Sequence, residues 1–344
     1  MKKFLLCISF ILLFVLVLST SFVAFKSKSG LQLPKYSLEK KTPHTINSSE
    51  ITLLAVGDIM LSRSVADRMR ERGDYTYPFL KVADLVKSAD IAFGNLETPI
   101  FRGERVLPGE MVFHANPEVL KGLTFSGFSI LSLANNHMGD GGREGFTETF
   151  SYLSEAGLSY VGAGFSVEEA CSAKYVNIKD ETIAFLAFTD PSLVTSSYGA
   201  TKKTPGSCFM NTEILETQVR KAKSESDFVV VSMHSGTEYV YKPTPYQVDF
   251  AHEAIDAGAD FILGHHPHVV QSHELYMGKH IFYSLGNFVF DQMWSLPTRQ
   301  GLALKITISE GEVSGVEYFP VIIENYAQPR PANESERNEI LSRL

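Results

Sequence analysis

Hydrophobic and polar positions divide this chain into three stretches of different pattern. Phe4 to Phe25 carries no charge and is apolar on every helical face. Lys26 to Glu50 is rich in Lys, Ser, Pro and Thr and has no sustained periodicity, which reads as a tether. From Ile51 onward, short apolar runs alternate with longer amphipathic ones. The runs predict strands at Ile51–Val56, Ile91–Phe93, Phe128–Leu133, Ile183–Phe188, Phe228–Met233, Phe261–Leu263 and His280–Ser284. The amphipathic stretches predict helices near Arg63–Arg72, Pro117–Ser126, Gly145–Ala156, Asn211–Ser224 and Pro245–Asp256. Asn116 and Thr244 are the expected caps of the second and the last. Two further strands, Ala303–Ile308 and Val313–Ile323, flank the turn Ser309-Glu310-Gly311-Glu312. After Glu324 the chain turns polar and is expected to be peripheral. This alternation predicts an α/β domain over residues 51–325, with antiparallel strands added near its end and a tail at 326–344.

The first stretch sets the expected compartment. A helix rises about 1.5 Å per residue, so residues 4–25 can cross a hydrocarbon core of about 30 Å. Lys2 and Lys3 favour a cytoplasmic start. The run is long for a cleaved signal peptide, and its only cleavage candidates are Ser19-Thr20-Ser21 and Phe22-Val23-Ala24. The expectation is a single-pass signal anchor at residues 1–25, a tether at 26–50, and a main domain outside the cytoplasm. The 344 residues include 31 basic and 39 acidic ones, but four of the lysines lie in the first thirty residues. The rest is therefore strongly acidic, which disfavours nucleic acid as a partner. Cys7 belongs to the apolar stretch, and sequence leaves open whether Cys171 and Cys208 pair.

Chemistry-bearing residues recur where the predicted strands end. Five apolar runs lead into Gly57-Asp58, Gly94-Asn95-Leu96-Glu97, Ala134-Asn135-Asn136-His137, His234-Ser235-Gly236 and Gly264-His265-His266-Pro267-His268. In open α/β sheets, ligands bind beyond the carboxyl ends of the strands. Parallel neighbours would gather these tips into an oxygen and imidazole cluster suited to a divalent metal, with Mn, Fe, Zn and Mg not distinguished. Singly, Asp58, Asn95 and Asn136 read as turn or cap residues. His266-Pro267-His268 favours a ligand reading, because Pro biases the residue before it and two imidazoles in a loop can face one side. There is no Gly-x₄-Gly-Lys-Ser/Thr run, so P-loop chemistry is excluded.

Together with His234-x-Gly-x-Glu238-Tyr239 and the segment Ser284 to Gln292, which includes Asn287 and Asp291, these ordered motifs resemble the CapA/PgsA family of bacterial capsule, or poly-γ-glutamate, synthesis proteins. The resemblance runs from about Ile51 to Ile323. It implies the calcineurin-like metallophosphoesterase fold, a four-layer αββα sandwich, and a site for one or two divalent ions. Asp58, Glu97 and His268 would serve one ion, and Asn136, His234 and His266 the other. His137 matches the histidine that contacts the leaving group. Met60 stands where that fold usually has a ligand histidine, and Asn95 stands near the usual bridging aspartate. A thioether is a poor ligand for a hard ion, which weakens the first set.

Two readings follow. One is a metal-dependent hydrolase or transferase in capsule or poly-γ-glutamate synthesis or export. In it His137 relays a proton, Arg63 holds an anionic group, and Asn95, Asp140, Glu238, Asn287 and Asp291 line the site. The other is a non-catalytic component of a membrane synthase complex that binds the anionic polymer or its precursor, through a bound metal or through Arg63, Arg143 and Arg299. A plain phosphomonoesterase ranks third.

Overall fold

The computed structural model describes residues 50–344. The expected anchor at residues 1–25 and nearly all of the tether lie outside the described residues. Among the described residues, no helix is long and apolar enough to cross a membrane.

In chain order the strands are β1 (Ile51–Ile59), β2 (Ile91–Leu96), β3 (Ile130–Ser132), β4 (Ser159–Val161), β5 (Ala163–Gly164), β6 (Lys174–Ile178), β7 (Glu181–Thr189), β8 (Gly206–Ser207), β9 (Phe228–His234), β10 (Phe261–His265), β11 (His273–Tyr276), β12 (Lys279–Phe282), β13 (Asn287–Val289), β14 (Gln300–Ser309), β15 (Glu312–Glu324) and β16 (Gln328–Pro331). The longer helices are α1 (Arg63–Arg72), α2 (Leu120–Ser126), α3 (Gly142–Glu155), α4 (Thr212–Glu225), α5 (Pro245–Ala257) and α6 (Glu334–Leu341).

Two mixed sheets carry the fold. The first has eight strands in the order β16-β15-β14-β1-β2-β3-β4, with β13 pairing the end of β1. The second has six in the order β11-β12-β10-β9-β7-β6. In the first, β1, β2, β3 and β4 run parallel. In the second, β7, β9, β10 and β12 run parallel. Every strand that ends in a candidate ligand belongs to one of these parallel sets.

Their near-continuous apolar sequences reflect burial on both faces. Leu53, Phe93 and Ile130 of the first sheet pack against Phe185, Val230 and Leu263 of the second. The rings of Phe93 and Phe185 stack 5.6 Å apart. Leu54 and Val56 point the other way, onto Val65 and Met69 of α1 and Phe146 and Phe150 of α3. On the far side, Leu186, Val229 and Val231 meet Leu215 and Val219 of α4 and Phe250 and Ala251 of α5. Each fully buried side chain of this size contributes roughly 1.5–3 kcal/mol.

Several local expectations need correction. The stretch from Pro117 opens with a 3₁₀ turn, Pro117–Val119, before α2. Asn116 does not cap it through its side chain; its Oδ1 accepts instead from Gly103 N at 3.3 Å. Thr244 does cap α5, in a reciprocal capping box with Gln247. Residues 326–344, expected as a peripheral tail, are built into the fold. β16 pairs with β15, and Ile340 of α6 is buried in the core between the sheets. Polar composition hid this, because a single buried residue per helix leaves almost no periodic signal.

Candidate metal centre

Asp58 lies at the bulged end of β1. After Ala55 the strand leaves β14 and takes up β13, pairing Asp58 with Asn287 on that side and with Asn95 of β2 on the other. The close approach explains Gly57, where a Cβ would lie 1.8 Å from Gly286 O. The carboxylate is fully buried. Asn95 Nδ2 donates to its Oδ1 at 2.8 Å, where His265 Nδ1 also lies at 3.4 Å. Its Oδ2 faces His268 Nδ1 at 3.3 Å and accepts from His266 N at 3.4 Å. Burial pushes this carboxyl up, but the imidazoles of His265 and His268 outweigh it and hold Asp58 well below the usual range.

Asn95 is the hub between the sheets. Its Nδ2 also lies 3.3 Å from Glu97 Oε2 and 3.2 Å from His234 Nδ1, and its Oδ1 accepts from Asn135 Nδ2 at 3.1 Å. Glu97 is buried, and its Oε1 has no hydrogen-bond partner. That oxygen lies 3.8 Å from His268 Nε2 and 3.9 Å from His137 Nε2. Burial, then the negative charges of Asp58 and Glu238, push Glu97 well above the usual range, with Arg63 opposing.

The imidazoles come mostly from the second sheet. His234 closes β9 and is clamped, Nδ1 toward Asn95 and Nε2 2.8 Å from Asn136 Oδ1. Burial, then neighbouring His266, holds it well below its usual value. His266 and His268 follow β10 with φ of 98° and 56°. Non-glycine residues rarely occupy such positions, and side chains held there cluster at functional sites. His266 Nδ1 is buried without a partner, and burial followed by His268 lowers its pKa to about 3. His268 Nδ1 also lies 2.9 Å from Asn287 Oδ1. Both His234 and His266 are thus neutral at neutral pH, the form that ligates metal.

His137 sits at the mouth, stacked on Phe113 with centroids 3.7 Å apart, and its Nδ1 lies 2.8 Å from Asp140 Oδ2. Asp140 also accepts from Phe113 N at 2.6 Å and from Tyr198 OH at 3.1 Å. This fixes the ring so that Nε2 faces the cluster.

Arg63 is brought to the same edge, but it is not a solvated helix residue. It is buried, pairs with Asp291, donates to Glu110 O at 3.0 Å and lies over the Phe113 ring. Met60 is buried in the outer core, and its sulfur accepts from Ser62 N at 3.0 Å. Glu238, to which the resemblance gives no ligand role, can offer an oxygen within 4.8 Å of nitrogens of His266 and His268. Asp58, Glu97 and His268 form a second group of the same compactness. Two residues the strand-end pattern does not single out are equally part of the cluster. His265 faces Asp58, and Asn135 holds Asn95 and Leu96 O. Their only signal in sequence is adjacency to His266 and Asn136. Cys171 and Cys208, both buried and left open by the sequence, form a disulfide with Cα atoms 5.0 Å apart.

The sequence profile of the family described as "Bacterial capsule synthesis protein PGA_cap" matches residues 52–292. The chain belongs to this family. It is 36% identical over 306 residues to the capsule biosynthesis protein CapA of Bacillus anthracis, covering 86% of this chain and 73% of that one. It is 36% identical over 299 residues to the PGA biosynthesis protein CapA of Bacillus subtilis (strain 168), covering 86% and 77%. Among solved structures it resembles one titled "Putative 5'-Nucleotidase" from Staphylococcus aureus, with a TM-score of 0.51 at 14% identity, covering 86% of this chain and 58% of that one. At that identity the likeness shows the fold alone, which is of the metallophosphoesterase type.

The PGA_cap cluster fits a divalent ion. Buried donors converge, Glu97 Oε1 and His266 Nδ1 lack partners, and two imidazoles are neutral. Unpaired buried polar atoms cost roughly 1–3 kcal/mol each, so they accumulate where another group supplies the missing contact.

Proposed function

We propose that this PGA_cap protein is a metal-dependent hydrolase or transferase serving capsule or poly-γ-glutamate synthesis at the outer face of the membrane. The observation that carries this reading is the convergence of Asp58, Glu97, His266, His268 and Glu238, with ligand-capable atoms left unpartnered. Asp58, Glu97 and His268 would hold one ion, and His266 with Glu238, beside His234 and Asn136, would hold another. A divalent ion there supplies Lewis acidity, polarising the scissile group and lowering the pKa of water toward about 7. The chain's own residues do the rest. Asp140 orients His137, whose Nε2 delivers a proton to the leaving group. Asn95 ties the carboxylate side to the imidazole side. Arg63 positions the loop around Asp291 rather than reaching substrate.

The complete architecture in this reading is a four-layer αββα sandwich behind a transmembrane helix at residues 4–25. The anionic polymer or its precursor is the partner, alongside a membrane synthase complex. The relatives' names support the polymer. The Cys171–Cys208 disulfide supports the compartment, because such bonds persist in oxidising surroundings. The test is purified protein loaded with Mn²⁺ and offered phosphoester and γ-glutamyl amide substrates. Turnover lost in His137→Ala with folding and metal content intact supports the reading. Equal turnover in that variant sinks it.

Met60 and Asn95 favour a second reading, a non-catalytic assembly component. Both stand where the fold usually places ligands, and here one packs in the core and the other acts as a hydrogen-bond hub. Protein isolated from a metal-replete medium without bound metal would favour this alternative.

A further inference from the structure

The mouth of the metal centre is rimmed by large apolar side chains that belong to no core. One group, Leu107, Met111 and Val112, lies on the long loop between β2 and α2. The other, Tyr239, Tyr241 and Trp294, lies on the loops that follow β9 and β13. All six are exposed, Met111 at 74% and Trp294 at 65%. Single exposed apolar residues are ordinary, but several gathered round one polar opening mark a contact surface.

The two groups are joined across the opening. Arg63 Nη1 donates to Glu110 O at 3.0 Å, and the same guanidinium pairs with Asp291, three residues before Trp294. Phe113, next after Val112, meets Phe290 edge to face at 5.9 Å and stacks on His137. Trp294 meets Tyr239 edge to face with centroids 5.8 Å apart, and Tyr239 N donates to Pro267 O at 2.8 Å, between His266 and His268. The roots of both groups are therefore fixed to the elements that hold the site, while the side chains at their tips stay in solvent. A γ-glutamyl chain is a polyanion and gains little from such side chains, so this rim is not its track.

We propose that this rim docks on a lipid bilayer, so that the metal centre works against the membrane surface, where a polymer made in the membrane first emerges. The proposal rests on the outer-face reading above. Two observations select a bilayer over a second protein. The first is composition: Trp and Tyr are side chains of the membrane–water interface, and Leu, Met and Val suit the acyl chains beneath it. The second is the rest of the chain. It carries the uncharged apolar run Phe4–Phe25, joined to β1 through residues 26–50. A coil of that length has a root-mean-square reach of roughly 25–30 Å. A surface kept that close to a bilayer meets it at high effective concentration, so weak docking is enough. Glu110, Glu238 and Lys242 stand among the apolar residues and give the rim no strong net sign. Apolar burial rather than headgroup charge is then the driving term, and docking should be insensitive to salt.

Trp294 is the only tryptophan of the chain, so its emission reports on the rim and on nothing in residues 4–25. The full-length protein is reconstituted into vesicles of phosphatidylcholine and phosphatidylglycerol, with or without brominated acyl chains, and recovered by flotation. In floated protein, Trp294 emission should fall roughly twofold in the brominated vesicles, at low and high salt alike. Met111→Glu combined with Val112→Glu should remove most of that fall, while the protein still floats and its metal content is unchanged. Floated protein whose Trp294 is not quenched overturns the docking surface and leaves the outer-face reading standing; it is also the result expected if a second protein or a second copy of the chain covers the rim. Quenching that is unchanged in the double variant overturns the joined surface. Protein that does not float overturns both readings together.

Discussion

The two sheets make unequal contributions to one site. The first supplies Asp58 from the bulged end of β1 and Asn95 from within β2, so ladder pairing sets their positions and Glu97 follows directly after β2. The second supplies His234 from the end of β9 but His266, His268 and Glu238 from loops, with His266, His268 and neighbouring Tyr239 at positive φ. One half is fixed by hydrogen bonds that any sequence of the right pattern would make. The other is fixed by strain that only the surrounding packing sustains. The carboxylate half should therefore fail by losing the fold, and the imidazole half by losing the ligand while the fold survives.

The largest expected effect breaks the rigid half. In Gly57→Ala the new Cβ meets backbone, Gly286 O at 1.8 Å, so β1 and the chain before β13 must separate. A loss on the order of 3–5 kcal/mol is expected in urea denaturation, with metal binding lost alongside it. A variant of wild-type stability would show that β13 is not held as rigidly as the pairing implies. Next comes the disulfide. Cys171 and Cys208 close 37 residues of sequence that include Tyr198, the partner of Asp140. Reduction, or Cys171→Ser with Cys208→Ser, should lower stability by about 3 kcal/mol.

Metal content sharpens the comparison further. Glu97→Ala and His268→Ala should each remove one ion and Glu238→Ala the other, because His268 Nδ1 faces Asn287 Oδ1 and only its Nε2, toward Glu97, is free to ligate. Affinity should fall on the order of 100-fold for the affected ion, about 2.7 kcal/mol. Glu238→Ala should melt close to the parent when both are metal-free, since it removes a partly exposed loop side chain, whereas His268→Ala also strips a buried partner from Asp58 and Asn287 and should lower stability. Elemental analysis after dialysis reads the stoichiometry, and complete loss in all three variants would mean a single shared ion.

How much of this was legible in the sequence follows the same division. Strand-borne residues such as Asp58 and Asn95 showed themselves, because an apolar run ending in a polar side chain is a local pattern. His265 and Asn135 did not, because alternation along a strand tells which face a residue takes and not what waits on that face. Glu238 was visible only as a neighbour. Its place beside His266 depends on two loops meeting, a long-range event that no local period encodes. Arg63 read as either an anion binder or a solvated helix residue, and its partner Asp291, 228 positions away, decides against solvent exposure. The tail was misjudged for the opposite reason: its composition is polar, while its few buried residues, Ala327 and Ile340, carry the packing.

The smallest expected effect separates the site edge of the second sheet from its outer edge. On β11 and β12, His273 Nε2 lies 2.9 Å from His280 Nδ1, and the rings of His273 and Phe282 stack 4.4 Å apart. Burial, then the neighbouring His280, lowers His273 to about 4. In the unfolded chain the same imidazole protonates near its ordinary value of about 6.5. Between these values the unfolded state binds the proton and the folded state does not. Stability is therefore fully present above about pH 6.5 and falls as the pH drops toward 4. His273 is only partly buried, so solvent screening should reduce the loss to about 1–2 kcal/mol across that window. Urea midpoints measured between pH 7 and pH 4.5 on the metal-free protein should fall less steeply in His273→Gln than in the parent. An unchanged slope would mean that the outer edge of this sheet already opens to water, and that its rigidity is confined to the strands that carry the imidazoles.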